Sequence, residues 1–433
     1  MKLAAIVVDG EVTFTALSNG STTRVMSARV TPYDVLSDLP GMLHSLSVGF
    51  GEDERAGGTV ILGADAVRRL GFPADAPADV DAAKAHPALT PARQVGWRVD
   101  RLGPWMTFHR PSSPTVHIGI RPWLDSSTFE LASPDPAVTA YRMAWLGGRL
   151  GAPYRARPGV TALAAMRTSI GGKTPYFRPD WKVVAPVGPS EEQYQWERPY
   201  IWDSPEGDTL QLGHKWLHGW DINSQFLAAA SGVYLSRNAL RHTRRTTYDG
   251  TAGYWRITVP PWAYERVLPH PAGNGLTAGD ITWVTSARME LLVKLADGYQ
   301  VIAMPDVLDS WTGEDKPARL LRPWAERIRD TRAAARREPD ADDAVVLDRA
   351  TKHSYTHGIA MLRKPESSIY RVDWNDTING YAGSAFWLKL FLQYRRDGRA
   401  PVKIFHDMAY YPSSEIDPER DRPSTFEPST RMG

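Results

Sequence analysis

The stretch GWDINSQFLAAA (219–230) decides how this chain is read. The segment LHGWD forms a strand that ends on Asp221, and Asn223 or Ser224 then caps a short helix. A carboxylate at the end of a strand, just before a turn into a helix, suits one half of a metal-holding pair. The other half lies in KIFHDMAYYPS (403–413), which reads as strand, turn, strand with Asp407 in the turn. Carboxylates from neighbouring strands are what two-metal phosphoryl chemistry needs, because two divalent cations ~3.5–4 Å apart have to be clamped from both sides.

Working outward, TLQLGHKWLHGWDI (209–222) reads as strand, turn, strand, and GYWRITV (253–259) as a strand. SARMELLVKLADG (286–298) is an amphipathic helix stopped by Gly298, and YQVIAMPDVL (299–308) is a strand. A long basic helix is expected over 317–337, a second helix over 343–362, and a third over 375–398. On the first of these, Arg322, Arg329, Arg332 and Arg336 share one side, while Leu321, Trp324 and Ile328 share another.

The N-terminal part is mixed. AAIVVDG and EVTFTAL form a hairpin, GTVILG (58–63) is a buried strand, and residues 74–95 read as a loop. Strands follow near 105–110 and 115–120, then a helix over 134–151 begun by Pro and ended by Gly. Residues 171–200 read as a connection, and the last 17 residues as a polar, Pro-rich tail.

Bulk composition excludes several classes. With 42% hydrophobic and 23% charged residues the chain is an ordinary globular protein, expected in the cytosol. No apolar run approaches the ~20 residues that span a bilayer. The absence of cysteine removes disulfides, thiolate zinc sites and Cys nucleophiles. There is no G-x-S-x-G and no phosphate-binding GxxxxGK[ST]. Net charge is only +2, but basic residues cluster: residues 316–337 hold eight against two acidic ones, and Arg237, Arg241, Arg244 and Arg245 lie close together. Such runs are usually solvated faces. Repulsion within this one would be relieved by a triphosphate or a nucleic-acid backbone.

WDINSQFLAAA resembles motif A of family B DNA polymerases, above all the protein-primed kind, which reads Asp-x-x-Ser-Leu-Tyr-Pro-Ser. Asp221 and Ser224 match it, and Gln225-Phe226 stand where Leu-Tyr is usual. The resemblance implies that Asp221 binds both metals and that Phe226 fills the place of the sugar-packing Tyr. KHSYTHGIAML (352–362) stands where motif B is expected, with Lys352, Tyr355 and Gly358 as candidates at altered spacing. IFHDMAYY resembles motif C, with Asp407 as its second Asp, Tyr410 and Tyr411 in the strand that follows, and Phe405 in place of the first Asp. GWDINSQFLAAA, YTHGIAML and HDMAYYPS also resemble the polymerase-like, telomere-associated proteins of actinobacterial linear replicons, plasmids, phages and mobile elements.

The resemblance implies an α+β fold: a polymerase-type palm of antiparallel sheet plus helices (196–317 and 363–416) and helical-hairpin fingers (318–362). The N-terminal domain (1–195) would be mixed α/β, exonuclease-like without clear catalytic carboxylates. A disordered tail (417–433) follows, and the thumb is reduced or absent. The implied activity is metal-dependent nucleotidyl transfer in replication or priming, with Mg²⁺ or Mn²⁺ as two ions held by Asp221 and Asp407. Ser224, Phe226, Arg322, Arg329, Arg332, Lys352 and Tyr355 are expected at the nucleotide, and Arg237, Arg241, Arg244, Arg245 and Arg336 at DNA. Implied partners are template and primer DNA, dNTPs and a terminal or priming protein. The alternative is an inactive polymerase-derived DNA-binding protein that recruits a terminal protein or another replication partner. A third reading is a structural component of a larger complex.

Bland readings stand beside these. Asp221 could simply cap a helix, Asp407 could be a turn residue, and Tyr355 could be a core aromatic. Asp373 and Asp376 in RVDWNDTI rival motif C, but a helix rather than a strand follows, which makes Asp376 an N-cap-region residue. Asp9 and Glu11 have the spacing of a proofreading nuclease, yet Asp9-Gly10 between apolar strands is a hairpin signal. His214 and His218 lie in a strand-turn context rather than on one helix face, so they face solvent or DNA.

Overall fold

In chain order, the N-terminal elements are β1 (Leu3–Asp9), β2 (Val12–Ser18), β3 (Thr23–Arg29), β4 (Thr59–Leu62), α1 (Ala64–Arg69), α2 (Val80–Ala85), α3 (Thr90–Gln94), β5 (Arg98–Leu102), β6 (Trp105–His109), β7 (Val116–Ile120), α4 (Pro136–Leu150) and α5 (Pro158–Ile170). There follow β8 (Tyr200–Asp203), α6 (Gly207–Gln211), β9 (Trp216–Asp221), α7 (Gln225–Gly232), β10 (Arg241–His242), β11 (Gly253–Thr258), β12 (Ile281–Thr285), α8 (Ser286–Val293) and β13 (Asp306–Thr312). The chain continues through α9 (Arg322–Ala335), α10 (Ala341–Met361), α11 (Val372–Asp397), β14 (Lys403–His406) and β15 (Met408–Ser413). This computed structural model describes residues 3–29, 32, 36, 59–102, 105–111, 116–124, 129–155, 158–170, 179–182, 197, 199–211, 213–222 and 224–426. It divides into two units, residues 1–172 with 326–361 and residues 173–325 with 362–433.

The first unit is built on a seven-stranded mixed sheet of order β3-β2-β1-β4-β7-β6-β5. The expected DG hairpin closes on the pair Asp9↔Val12, with Gly10 at φ 59, a conformation Gly adopts without steric cost. β1, β4 and β7 run parallel, and Ile6, Val7, Val8, Val60, Ile61, Leu62, Val116, Ile118 and Ile120 are buried. Residues 74–95 are not a loop: they carry α2 and α3, and Ala83, Leu89 and Ala92 enter the core. Their Ala and Pro content reads as irregular, but Asp79 caps α2 and the small side chains pack closely. α4 starts at its Asp135 cap and ends at Gly151 in the left-handed region, as expected.

α10 packs on α5 where Gly159 leaves no room for a side chain, since a Cβ there would meet Met361 and His357 at 2.8 and 3.0 Å. Tyr141 and Trp145 of α4 donate to Glu338, and Arg142 pairs with Asp343 at 2.6 Å. The expected long basic helix is shorter than 317–337, because α9 begins only at Arg322.

The second unit has two four-stranded antiparallel sheets, β10-β13-β11-β12 and β8-β14-β15-β9. α11 runs through its core, burying Trp374, Ile378, Phe386, Trp387, Leu390 and Phe391. Several sequence expectations shift. Residues 207–211 form the short helix α6 rather than a strand. Residues 301–305 are not strand, and the strand starts at Asp306. β12, an almost fully buried ITWVT, pairs with β11. The segment expected as a tail is ordered through Phe426: a 3₁₀ turn covers Pro418–Asp421, Arg399 binds Asp421, and the Phe426 ring packs near Trp220 and Tyr411. The connection expected over 171–200 lies largely outside the described residues. Among the described residues no helix is long and apolar enough to cross a membrane.

Candidate active site

The sheet β8-β14-β15-β9 alternates cleanly. Trp202, Ile404, Ala409 and Trp220 face the core. The opposite face is open, and one row crosses all four strands through directly opposed residues: Ile201, Phe405, Met408 and Asp221. Asp221 ends β9 and is exposed. Asp407 sits in the two-residue turn between Phe405 and Met408 and is half-buried. Because Met408 lies directly opposite Asp221, the register sets Asp407 one residue from the partner of Asp221. Asp221 thus ends one strand, and Asp407 lies in the turn that leads into the neighbouring antiparallel strand, at the same end of the sheet.

Both residues leave their strands through unusual backbone. His406, the first turn residue, has φ 60, and Ser224, at the start of α7, has φ 58. Two-residue hairpin turns demand positive φ in their first position, usually met by Gly, Asn or Asp. Non-glycine residues adopt it uncommonly, and such residues concentrate at functional sites. The Ser224 side chain makes no cap hydrogen bond, and Asn223 lies outside the described residues, so the expected side-chain cap on α7 is not seen. Phe226, on the first turn of α7, is half-buried.

Among the described residues no group of three or more His, Cys, Asp or Glu could hold a metal ion. A pair is nevertheless a suitable donor set for Mg²⁺, which keeps several waters and takes one or two carboxylates plus substrate phosphates rather than an all-protein cage. The hard oxygen donors of Asp221 and Asp407 fit Mg²⁺ or Mn²⁺ in that sense.

The expected arginine stripe is not a common free face. Arg332 is 8% exposed and bidentate to Asp348 of α10 at 2.9 and 3.1 Å. Burial disfavours its charge, but the hydrogen bond to Asp348 and the Asp348 charge, with a smaller part from Tyr355, together more than offset this. Arg336 also reaches Asp348 at 3.4 Å. Arg329 is exposed beside Asp330, and Arg322 and Lys352 are exposed. Tyr355 is a core aromatic at 2% exposure. Helical spacing places these arginines on one side, but Asp348 of α10 pairs only with Arg332 and Arg336, while Arg322 and Arg329 stay exposed.

The basic cluster near 237–245 is similarly engaged. Arg237 pairs with Asp315, Arg241 with Glu314, and Arg245 with Asp249. Arg244 is exposed, and among the described residues no carboxylate pairs with it. His218 bonds the carbonyl of Glu415 at 2.7 Å and His214 the hydroxyl of Ser414 at 3.2 Å. Both therefore hold the segment after β15 and do not form a metal pair. In the first unit, Asp9 accepts the Asp65 amide at 3.0 Å and Glu11 pairs with Arg69 at 2.9 Å.

Asp376 is not a cap. It lies inside α11, whose N-cap is Arg371, and is 2% exposed. The Tyr254 hydroxyl donates to it at 2.9 Å and Arg363 approaches at 3.4 Å. Burial pushes its carboxyl up to about 7, and Arg363 and Tyr254 only partly oppose this. A raised carboxyl means that the folded state keeps its proton while the unfolded state, near 3.9, has lost it. Stability is therefore full below about pH 4 and falls as pH rises towards 7. Asp376→Asn should remove that part of the slope, worth up to about 4 kcal/mol, in urea titrations run across this range.

Three features escape sequence reasoning. Arg288 is buried and pairs with Glu197 at 3.0 Å while donating to the Tyr200 hydroxyl at 2.9 Å. Arg371 is fully buried at the start of α11. Phe405 and His406 stack beside Asp407. A buried arginine in an amphipathic or mixed segment has no periodic signature, so no signal in the chain finds the first two.

No family model and no curated protein matches this chain. Among solved structures it is similar to Phi29 DNA polymerase complexed with primer-template DNA and incoming nucleotide substrates, at 10% identity and TM-score 0.49, over 96% of this chain and 81% of that one. It is also similar to Phi29 DNA polymerase in an orthorhombic crystal form (10% identity, TM-score 0.45, 96% and 80%) and complexed with single-stranded DNA (11% identity, TM-score 0.45, 96% and 81%). A likeness of this degree carries no inference about chemistry, which rests on the residues of this chain.

Proposed function

We propose that this chain performs metal-dependent nucleotidyl transfer on DNA, with Asp221 and Asp407 as the carboxylates that hold Mg²⁺ or Mn²⁺. One observation supports the reading: the Met408↔Asp221 register sets Asp407, in the β14–β15 turn, one residue from the partner of Asp221. Asp221 and Asp407 would hold the cation, which when bound would supply Lewis-acid stabilisation of phosphoryl transfer. The chain supplies position. Asp221 is fixed by the β9–β15 ladder, and Asp407 by a hairpin turn closed by the Phe405–Met408 pair. Ser224 and Phe226 follow Asp221 closely in sequence and are assigned to the nucleotide. The family B resemblance, a role in replication or priming of a mobile element or phage, dNTPs as substrates and a terminal or priming protein as partner all belong to this reading.

The test is incorporation of labelled dNTPs on primed and unprimed templates with Mg²⁺ or Mn²⁺. A second reading, a non-catalytic DNA-holding protein that recruits a terminal protein, draws on Phe405, an apolar residue where the resembled motif carries a carboxylate. Absence of incorporation with DNA binding retained supports that reading.

In both readings DNA contacts fall on cations without carboxylate partners. Arg244→Ala is therefore expected to weaken binding to a duplex of random sequence and to reduce the salt slope by about one. Arg241→Ala, already paired with Glu314, changes it less. Binding isotherms at several salt concentrations check this, and equal slopes for the two variants contradict it.

A further inference from the structure

Next to the carboxylate pair, the turn carries two rings exposed to solvent. Phe405 is 46% exposed, His406 is exposed, and the rings stack with centroids 4.3 Å apart and planes 13° from parallel. Consecutive residues of a strand point to opposite faces, so neighbours in sequence do not ordinarily stack. The positive φ of His406 departs from strand geometry at the point where its ring turns back beside Phe405. A conformation that disfavours most side chains thus accompanies an aromatic platform beside Asp407.

The platform lies on a neutral floor. Phe405 faces Met408 on one side and Ile201, 55% exposed, on the other. The nearby cation on this face, Lys403, pairs with Asp203 at 3.1 Å. From Asp221 to Phe405 there are two strand spacings, roughly 10 Å. That is comparable to a nucleotide measured from its phosphate to its base.

We propose that the Phe405–His406 stack seats the base of a nucleotide whose phosphates lie, through a divalent cation, at Asp221 and Asp407. The inference rests on the nucleotidyl-transfer reading and adds a base-binding surface to it. Aromatic rings accept any base because every base has a π-face, so the seat selects for a planar base without choosing among sequences. The neutral floor suits a sugar and base and offers no second anchor for phosphate.

The test compares binding of dATP and of inorganic tripolyphosphate to the full chain in Mg²⁺ by calorimetry. Wild type should bind dATP roughly tenfold more tightly than tripolyphosphate. Phe405→Ala should abolish the difference and leave tripolyphosphate binding unchanged, whereas Phe405→Tyr should keep it. His406→Gly, which suits a positive φ and so preserves the hairpin, should reduce the preference without unfolding, as thermal melts verify. Equal binding of the two ligands by wild type, or a dATP preference that survives in both Phe405→Ala and His406→Gly, overturns the base seat. The carboxylate reading fails separately, when Asp221→Asn leaves Mg²⁺-dependent tripolyphosphate binding unchanged.

Discussion

Asp221→Asn is expected to lower Mg²⁺-dependent nucleotide incorporation by about 10³-fold while leaving the fold intact. The substitution keeps the shape of the side chain and removes a charge from an exposed strand end, so the core does not feel it. It does change the metal ligand, since hard divalent cations take charged carboxylate oxygens. Lewis-acid stabilisation of a phosphoryl transition state is worth several kcal/mol, and each 1.36 kcal/mol is a factor of ten. Asp407→Asn should cost a similar factor. The two carboxylates act as one clamp, so the double variant should be little worse than either single one. Primer-extension rates with matched thermal midpoints check this. Incorporation that persists at wild-type rate in Asp221→Asn removes the assignment.

The parts of this site that are local in sequence are legible before the structure. The strand running into Asp221, the turn around Asp407 and the strand after it all follow from side-chain pattern, and all are present. So is the Gly10 hairpin, because a two-residue turn has a strong chemical signature. Other features depend on partners distant in the chain. The pairing of β9 with β15 is one, and no local pattern states which residue faces Asp221. The arginine stripe is another: spacing gathers Arg322, Arg329, Arg332 and Arg336 on one side, but it does not show that Asp348 on α10 pairs with Arg332 and Arg336. β12 is harder still, since a short, almost fully buried run has no alternation to separate strand from helix. Exposure is equally hidden. In the sequence Phe405 stands where the resembled motif carries a carboxylate, and only the register shows that it shares the open face with Asp221.

Arg371→Ala should have the largest effect on stability, roughly 3–5 kcal/mol in the second unit. The guanidinium is fully buried at the N-cap of α11, between that helix and the segment after α7. It is bidentate to Asp373 at 2.8 and 2.6 Å. Its remaining N–H groups donate to the carbonyls of Asp180, Ser236, Arg237 and Asn238 at 2.8–3.2 Å, and its plane lies 4.3 Å from the Trp374 ring centroid. Truncation strips the half-buried Asp373 carboxylate of its bidentate partner and takes one donor from each of four carbonyls, of which those of Ser236, Arg237 and Asn238 keep a second donor in Trp374, Asp180 and Ser236, and losing a buried partner is dearer than the net worth of the bonds. Lysine does not substitute: three donors on a point charge cannot meet a carboxylate edge and four carbonyls together. Arg371→Lys should therefore recover only a minor part of the loss. Removing both partners distinguishes the two sources of cost. If the penalty comes from an uncompensated Asp373 charge, Arg371→Met with Asp373→Leu should be more stable than Arg371→Ala alone. If it comes from the donors lost at the carbonyls, the double variant should be no better. Urea denaturation of the four proteins separates these outcomes, and a single-variant loss below about 1 kcal/mol contradicts both, because it would mean that water reaches the segment and takes over the bonds.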